Sequence, residues 1–535
     1  MENRNTMKKL KKIGYPALIF LLTSLSFTSC SDEWDAHYSL ENTGKIDSNI
    51  FDYIKSRSDL SLFRAMILNT GYDSILSQSK AYTVWAPTDS SLVDNPILLD
   101  TASWKNLVGN HIASWAHPVS QADSQTITML NGKRLMYNFM DATASMDGVT
   151  VIEKDRATKN GLVQVMSGIL PYRYNQWENI FQQPGIDSLR NYVLSLNRKV
   201  LDNNRSYDNG VFIDSFFITT NQILNSLGNF NLEDSIYTSI LPNNAAWIDA
   251  YNRISPYYKT KAIDGGAVAQ RTNTLWSIVR DLFFWGRIDV PTNKAKLVST
   301  NWTTLKNPDS LFLNAQKKVL SNGYAYTTSK LQQKAADSWC KEIRVEAENA
   351  FSGRIPANYT VTTNSSLGTK FNVSNNAYVY CNPTSTSALS PLTMTFPIPN
   401  TLSTKYNIYV VFIPSVITDT TDKRPYKVDF YMSNNINLAT NVNGPQPTFG
   451  AKMNATSIVT DPLNVTKVLV AKNYEFTTAN ITNGGYLIRS LIPQGLSSPT
   501  TVGLKIRNVG GTSATEIKNF NRAMCIDCVI LEPVQ

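Results

Sequence analysis

The sequence predicts a multi-domain protein in which two α+β domains are followed by an all-β domain. Its 535 residues exceed the usual length of one domain and suit three or four. Before about residue 340, apolar residues recur at helical spacing between short buried strands. Beyond it, runs rich in Thr, Ser, Val and Tyr are separated by turn residues. This change of pattern predicts the order of the domains.

The composition is that of a folded protein. Hydrophobic residues make up 42% and charged residues 17% of the chain, which excludes an intrinsically disordered class. The formal charge is +9, but residues 1–29 contribute +4 because they hold five basic residues and one acid. The remaining chain carries +5 without a dense basic run, so we expect no nucleic-acid partner.

Residues 1–29 have the build of a signal peptide, because a basic stretch precedes an apolar run too short to span a bilayer comfortably. The segment ends in Phe27-Thr28-Ser29-Cys30, which resembles the lipobox of bacterial lipoproteins except that Phe27 replaces the usual Leu. The resemblance implies that Cys30 is lipidated and anchors the protein to a membrane. Residues 30–46 would then form a lipidated linker.

The acidic segment Ser31-Asp32-Glu33-Trp34-Asp35 follows directly. It resembles the surface-export signal of Bacteroidetes lipoproteins, and a solvated linker is the alternative interpretation. The resemblance implies an outer-membrane protein that faces the cell exterior.

Residues 47–173 carry an ordered series of motifs. The segment Tyr82-Thr83-Val84-Trp85-Ala86-Pro87-Thr88-Asp89 reads as a buried strand followed by a helix cap. It resembles the Thr-Val-Phe-Ala-Pro-Thr-Asp signature of fasciclin-like domains. Three further segments resemble that family's histidine box, Asn-Gly hairpin and closing strand, in the family's order: Leu107–Ile112, Thr128–Lys133 and Asn160–Pro171. The resemblance implies an α+β domain of a family that generally mediates protein or matrix contacts.

His111 invites a catalytic interpretation in this domain. It lies in an apolar segment with Leu107, Val108 and Ile112. We therefore expect a buried, hydrogen-bonded histidine with a structural role.

Residues 176–334 repeat the pattern in divergent form. Tyr237–Trp247 has the strand, proline and polar-helix order of the first signature, and Ser321–Thr327 matches the Asn-Gly closing strand. Trp276–Phe284 falls where the histidine box belongs but contains no His. We predict a second fasciclin-like domain, and the missing His supports a structural role for His111.

Residues 340–535 predict an all-β sandwich, because short alternating runs are spaced by turn residues. Candidate strands are Ile343–Ala347, Ala377–Tyr380, Leu392–Phe396, Tyr406–Phe412, Tyr426–Tyr431, Val468–Val470, Tyr486–Leu491, Thr501–Ile506 and Cys525–Leu531. The opening Val345–Asn349 and the closing Ile526–Val534 resemble the two ends of jelly-roll carbohydrate-binding modules. The resemblance implies a jelly-roll-like fold and a glycan ligand.

The same resemblance implies a structural calcium ion held by both ends of the module. The matching positions are Glu346, Glu348 and Asp527. Glu346 and Glu348 are two residues apart, so they share one face of a strand. Hard carboxylate oxygens suit calcium, whereas an exposed acidic edge is the alternative. No other cofactor is predicted.

Sugar binding requires aromatic faces that a ligand can reach. The candidate residues are Tyr359, Tyr378, Tyr380 and Tyr474, although tyrosines in strands more often belong to a core.

The spacing Cys525-x-x-Cys528 invites a zinc interpretation. A structural zinc needs four ligands, but Cys340 and Cys381 do not form a second pair and no His lies beyond His117. We expect buried thiols or disulfides instead, with the connectivity open.

Asp-Ser or Asp-Thr followed by an aliphatic residue resembles the O-glycosylation acceptor of exported Bacteroidetes proteins, and Thr420, which Thr421 follows, matches it more loosely. The candidate positions are Ser74, Thr101, Ser188, Ser235, Ser310 and Thr420. A plain helix cap or turn is the alternative at each position.

The chain lacks a nucleophile elbow, a P-loop, a zinc-protease helix and a dinucleotide fingerprint, so we predict no enzymatic activity. A carboxylate pair for glycoside hydrolysis, which has no local motif, stays open. Our hypothesis is a cell-surface lipoprotein that binds glycan or another nutrient as an accessory of a TonB-dependent transporter and its lipoprotein lid. The alternative is an adhesion or scaffold protein that acts through the fasciclin-like domains.

Overall fold

The computed structural model describes residues 47–93, 95–119, 124–140, 143–349, 354–385, 390–436, 448–481, 501–511 and 513–534. The chain divides into two compact units, of which one ends at Arg173 and the other begins at Tyr174. Within the described ranges, no helix has the length and apolar character to cross a membrane. The predicted signal peptide, Cys30 and the acidic segment after it lie outside these ranges.

The first unit packs short helices against a seven-stranded sheet. Its helices are α1 (Ile50–Ser56), α2 (Ser61–Thr70), α3 (Tyr72–Leu76), α4 (Asp89–Leu92) and α5 (Trp104–Asn110). Its strands are β1 (Tyr82–Pro87), β2 (Ile112–Ser114), β3 (Ser124–Thr128), β4 (Arg134–Met140), β5 (Thr143–Met146), β6 (Val149–Thr158) and β7 (Gly161–Met166). The sheet order is β2-β1-β7-β6-β5-β4-β3, and β1 runs parallel to β7. Every residue of β1 is buried, as expected for a strand covered on both faces.

The second unit begins with a domain built on the same frame. Its helices are α6 (Gln176–Gln182), α7 (Asp187–Ser195), α8 (Asn203–Ser206), α9 (Gln222–Leu227), α10 (Asn244–Ile254) and α11 (Gly266–Val279). Its strands are β8 (Asn197–Leu201), β9 (Tyr207–Asp208), β10 (Val211–Phe212), β11 (Phe217–Asn221), β12 (Tyr237–Pro242), β13 (Phe283–Trp285), β14 (Lys296–Val298), β15 (Thr304–Lys306), β16 (Gln316–Leu320) and β17 (Gly323–Thr328). In its main sheet, of order β13-β12-β17-β16, β12 pairs parallel with β17 as β1 pairs with β7.

One buried asparagine closes each of these two domains. In the first, Asn160 accepts a hydrogen bond from the Ile50 amide (2.8 Å) and donates to the carbonyls of Leu76 and Gln78 (2.7 Å each). Its side chain therefore ties the start of α1, the segment after α3 and the start of β7 together.

The equivalent residue of the second domain is Asn322. It accepts from the Gln176 amide (2.8 Å) and donates to the carbonyls of Phe230 (3.0 Å) and Leu232 (2.9 Å). The same three chain segments meet, so the two domains are copies of one frame.

The glycine after each asparagine is also required by the backbone. Gly161 and Gly323 have φ of +139° and +138°, in the region that favours glycine. A Cβ at either position would collide with the carbonyl oxygen of Tyr82 or Tyr237 on the adjacent parallel strand. The Asn-Gly pair therefore sets both the side-chain tie and the strand contact.

His111 is fully buried in the first domain. Its Nδ1 lies 2.6 Å from the carbonyl oxygen of Trp85, and its Nε2 accepts a hydrogen bond from the Leu170 amide at 3.1 Å. Only the neutral ring with the proton on Nδ1 satisfies both contacts. The prediction of a structural histidine is confirmed. In the second domain Leu282 takes this place, since its carbonyl accepts from Ile240 as that of His111 accepts from Trp85.

The C-terminal region consists of two antiparallel sheets. Its strands are β18 (Ile343–Glu346), β19 (Ile355–Ala357), β20 (Tyr359–Ser365), β21 (Ala377–Pro383), β22 (Leu392–Ile398), β23 (Lys405–Ile413), β24 (Lys427–Ile436), β25 (Ile458–Val459), β26 (Thr466–Glu475), β27 (Thr501–Asn508) and β28 (Met524–Pro533), with one helix, α12 (Ala514–Asn519). One sheet has the order β20-β21-β28-β23-β26 with β18 also on β28, and the other has the order β19-β22-β27-β24-β25.

Both sheets contribute to a single hydrophobic core, with Val410 and Ile526 from one sheet and Phe396 and Leu504 from the other. Every predicted strand within the described ranges overlaps an observed one, whereas the predicted strand Tyr486–Leu491 lies outside them.

The second domain and the C-terminal region, between which the sequence predicted a boundary at residues 334–340, share part of one core. Leu402 belongs to the core of the second domain, and Ile481 packs against that core. The Ser403 amide donates to the Tyr257 carbonyl (2.8 Å), and the Ala479 amide donates to that of Lys259 (2.6 Å). Shared apolar burial and paired backbone groups make residues 174–534 one compact unit.

The asparagine tie yields a first prediction. Asn160→Asp replaces two amide donors by a carboxylate, which leaves the carbonyls of Leu76 and Gln78 without partners and buries a charge. We expect the free energy of unfolding of the first unit to fall by at least about 2 kcal/mol. Differential scanning calorimetry of the full chain measures it. The exposed Asn106→Asp is the matched control, and an equal effect in both variants would contradict the proposed tie.

His111 yields a second prediction. Burial lowers its pKa from 6.5 to about 4. The folded state therefore favours the neutral ring, so its stabilisation is complete above pH 6.5 and is lost as the pH falls toward 4. The loss should reach about 3 kcal/mol, at 1.36 kcal/mol per pKa unit. His111→Leu, which copies the second domain, should flatten this pH dependence in calorimetric melts of the first unit, and an unchanged slope would contradict the assignment.

Candidate metal centre

The first and last strands of the C-terminal region lie side by side. β18 pairs antiparallel with β28, so that Glu346 lies opposite Cys528, and the Ala347 amide donates to the Asp527 carbonyl at 2.9 Å. This pairing brings acidic residues from the two ends of the region together. The sequence placed them about 180 residues apart without showing that they meet.

A β-bulge directs Asp527 toward the acids of β18. Along β23, Val411 pairs with Cys528 and Phe412 pairs with Ile526, so Asp527 has no partner on that strand. A bulge inserts one residue and re-aims its side chain. The Asp527 carboxylate consequently lies within 4.8 Å of the carboxylate of Glu346 and the thiol of Cys528, measured between their ligand atoms.

A short 3₁₀ turn, Ser374–Asn376, closes the cluster from the side. The Ser374 amide donates to both carboxylate oxygens of Asp527 (3.2 and 3.3 Å), and its hydroxyl donates to Glu346 Oε1 (2.7 Å). The side-chain nitrogen Nδ2 of Asn375 donates to Glu348 Oε1 at 3.2 Å. Glu348 therefore lies at the edge of the cluster, linked to it through the turn.

The carboxylates repel one another in the absence of a cation. Burial, together with the charges of Glu346 and Glu348, raises the pKa of Asp527 from 3.8 to about 6. The second oxygens of Glu346 and Glu348 are buried, and none of the described residues gives them a hydrogen bond. Buried anionic oxygens without partners are costly unless a cation satisfies them.

The donor set fits a hard divalent cation. Calcium takes six to eight oxygen ligands, including carboxylates, carbonyls and water. Glu346 and Asp527 offer carboxylate oxygens at the centre, Glu348 offers one at the edge, and the orphaned oxygens are the positions that an ion would use. The structure thus brings Glu346 and Asp527 together, with Glu348 linked to them through the turn.

The cysteines do not extend this cluster to a zinc site. Cys525 packs in the core between the sheets, whereas Cys528 packs with Val411 and Ile530 in a separate cluster, so the two thiols cannot hold one ion. Burial raises the pKa of Cys528 to about 12, which keeps its thiol protonated. Cys340 and Cys381 are likewise buried and free.

The predicted ligand-binding tyrosines require a correction. Tyr359 and Tyr378 are buried in the core between the two sheets, so their ring faces cannot stack on a ligand from solvent. The Tyr359 hydroxyl donates to the Arg522 carbonyl (2.8 Å), which explains its position inside. Tyr380 and Tyr474 are half-buried and pack against the same core. The alternation of strand side chains placed these rings inward.

The predicted O-glycosylation positions differ in exposure. Ser74, Thr101 and Thr420 are exposed, whereas Ser188, Ser235 and Ser310 are half-buried. A glycosyltransferase needs an accessible hydroxyl, so the first three remain the better candidates.

Sequence reasoning missed Ser374 and Asn375, and it considered Cys528 only as a zinc ligand, not as a neighbour of these acids. Ser374 and Asn375 lie on a turn that is distant from both ends in sequence. The local signal in the sequence was the pair Asn375-Asn376, because asparagine tolerates the positive φ that the structure shows at both residues.

Comparisons with known proteins match one segment of this chain to a protein family. Residues 58–171 match the family model of the fasciclin domain. The prediction that the chain contains fasciclin-like domains is thereby confirmed, and the repeated frame described above extends the likeness to residues 174–334. No curated protein matches this chain.

Two solved structures show a distant similarity. The FAS1 domain pair of the insect cell adhesion molecule fasciclin I is 13% identical, and the match covers 52% of this chain and 98% of that one at a TM-score of 0.21. A Paenibacillus xanthan lyase is 10% identical, with 40% of this chain and 16% of that one covered at a TM-score of 0.19. At such scores neither similarity carries a conclusion about this chain.

The acidic cluster yields a third prediction. Because the folded-state pKa of Asp527 lies above its ordinary value, the protonated form is favoured on folding. When a chelator keeps the protein free of metal, the stability that the protonated Asp527 carboxyl contributes should be lost as the pH rises from 3.8 through about 6. Calcium binding needs the ionised form, so added Ca²⁺ should stabilise the second unit more at pH 7 than at pH 5.

Thermal melts in chelator and in Ca²⁺ test this prediction. A calcium concentration about 100 times Kd should add about 2.7 kcal/mol. Glu346→Gln and Asp527→Asn should abolish the gain, whereas Glu532→Gln, which removes an acid of β28 paired instead with Lys467, should retain it. A calcium gain that survives in Asp527→Asn would place the ion elsewhere.

Proposed function

We propose that this chain is a lipid-anchored, non-catalytic adhesion or scaffold protein of the outer cell surface. The observation that supports this role best is the match of residues 58–171 to the fasciclin domain, a family that the sequence resemblance associates with protein or matrix contacts. The second copy of the frame adds a further surface of the same kind. Cys30 supplies the anchor to the outer membrane, and nucleic acid is not among the partners.

The use of polar residues inside the fasciclin-like domains agrees with this role. His111, Asn160 and Asn322 satisfy backbone groups, and buried Asp281 accepts hydrogen bonds from Ser299 (3.0 Å) and Ser338 (2.5 Å). Each of these side chains holds together segments of the chain that are distant in sequence. They form a framework that holds outer surfaces in place, which is what an adhesive or docking module needs.

Glycan or nutrient binding by the C-terminal region is the second candidate. Its supporting observation is the acidic cluster between β18 and β28, at the positions that the resemblance to carbohydrate-binding modules implies. We propose a jelly-roll-like sandwich with a structural calcium ion. In this candidate the chain serves a TonB-dependent transporter and its lipoprotein lid. Because Tyr359 and Tyr378 are buried, the sugar would have to contact other residues.

A pull-down of the native lipoprotein from detergent-solubilised outer membrane separates the two candidates. Copurification of a transporter and its lid at equal stoichiometry would support the uptake role and overturn the free-standing adhesin. Adhesion would be supported if the protein is recovered without the transporter and its lid and if the full chain binds cells or matrix. Cys30→Ser should release the protein from the membrane fraction, and retention there would contradict the lipid anchor.

Glycan binding is best measured on the full chain with a panel of polysaccharides. Removal of residues 340–535 is a poor test, because Leu402 and Ile481 complete the core of the second fasciclin-like domain. Asp527→Asn is the cleaner variant, since it alters the cluster without removing a sheet. Saturable binding of one polysaccharide class would favour the second candidate, and none across the panel would leave adhesion as the function.

A further inference from the structure

The second fasciclin-like domain carries an arm that the first domain lacks. In the first domain Gly71 alone separates α2 from α3. In the second, residues 196–221 stand at the equivalent place between α7 and α9, and we call them the arm. They form an antiparallel pair of β8 with β11 and a smaller hairpin, β9 with β10, at the far end.

Internal hydrogen bonds hold the arm in shape. At its base, the side chain of buried Asn221 donates to the Val193 carbonyl (2.8 Å) and to Asn197 Oδ1 (2.7 Å). At its far end, buried Ser206 exchanges hydrogen bonds with the backbone of Phe216 (3.2 and 3.0 Å). The arm is therefore a built element, and its surface is fixed by its fold.

That surface is unusually apolar for a solvent-exposed element. Val200, Val211, Phe212, Ile213, Phe217 and Ile218 all project outward, with Val211 69% and Phe217 59% exposed. The exposure covers both faces, because Val200 and Ile218 pair across one face while Phe217 lies on the other. Contiguous exposed apolar side chains of this kind mark a contact surface.

The backbone of the arm also offers unpaired edges. Among the described residues, β8 and β11 each have one neighbour, so each leaves one edge open. A two-stranded sheet alone is marginally stable in water, and an open edge is a template for a further strand.

Charge divides the arm along its length. The base carries Arg198 and Lys199, a charge of +2. The remainder, residues 202–216, holds Asp202, Asp208 and Asp214 against Arg205, a charge of −2. One end is therefore basic and the other acidic, with apolar side chains along both.

We infer that the arm is a self-association surface whose occupant is the arm of a second copy of this chain. Two arms related by a two-fold axis run antiparallel, so each basic base meets the partner's acidic end, and this contact occurs twice. One open edge of each arm pairs with that of its partner, which brings the apolar side chains of the two arms side by side. The arm has about the number of residues, 20 to 30, that each side of a standard interface uses.

A lipid surface fits the arm less well. Insertion of its apolar end would carry Asp208 and Asp214 toward hydrocarbon, where a carboxylate is costly. An unrelated protein partner would not require the two ends of the arm to complement each other. Self-association through the arm does not depend on the proposed adhesive role, so an experiment can contradict either one and leave the other standing.

Charge reversal in matched sets tests the inference on the full-length chain in detergent. Self-association is followed by sedimentation velocity from nanomolar to tens of micromolar concentrations. Arg198→Glu with Lys199→Glu should weaken association by at least about tenfold, and so should Asp208→Lys with Asp214→Lys. The four substitutions together should restore association, because both ends are then reversed. Lys294→Glu with Lys296→Glu, at exposed positions outside the arm, is the control and should change nothing.

The outcomes separate the alternatives. A chain that stays monomeric at every concentration overturns the inference. A dimer whose association is weakened by neither pair of charge reversals overturns it as well. Loss without restoration in the fourfold variant, with an unchanged melting temperature of the second unit, would indicate a different occupant. Binding to phosphatidylethanolamine and phosphatidylglycerol vesicles by a monomeric chain would assign the surface to lipid. Restoration by the fourfold variant supports the antiparallel pairing of two arms.

Discussion

A single buried amide holds each fasciclin-like domain together. Asn160 and Asn322 each bind three backbone groups from segments that are distant in sequence, and the glycine that follows lets the closing strand lie against β1 or β12. An amide with two donors and an acceptor suits that task, and a hydrophobic residue could not satisfy those groups. Because this tie fixes the frame, other positions are free to diverge: Leu282 replaces His111, and a long arm replaces Gly71.

The second fasciclin-like domain shares its core with the C-terminal region. Its core is completed by Leu402 and Ile481, so it and the C-terminal sheets form one body. Apolar surface that is buried between two elements contributes to the stability of both. The consequence for function is that the arm and the acidic cluster are held on one scaffold.

The acidic cluster depends on the register of β28. The bulge at Asp527 turns its carboxylate toward β18, and the Ser374 turn then supplies donors from the side. Glu346, Glu348 and Asp527 were predictable, because the resemblance named both ends of the region. Ser374 and Asn375 were not, since nothing in their neighbourhood indicates which strands lie opposite. The choice of tyrosines as sugar-binding residues was wrong for a related reason. The side chains of a strand alternate between its two faces, and only the packing of the second sheet decides which face is buried.

The sequence by itself determined the local chemistry of this protein: the Asn-Gly corners, the buried Thr-Val-Trp-Ala-Pro strand, the repeat, and the run of short strands beyond residue 340. These follow from backbone preference and apolar periodicity, which act over a few residues. The tertiary structure alone decided which distant groups meet. It joined the second domain to the C-terminal sheets, buried Tyr359 and Tyr378, gathered the acids around Asp527, and left the apolar arm in solvent. Burial and strand pairing depend on contacts across hundreds of residues, and no local pattern encodes them.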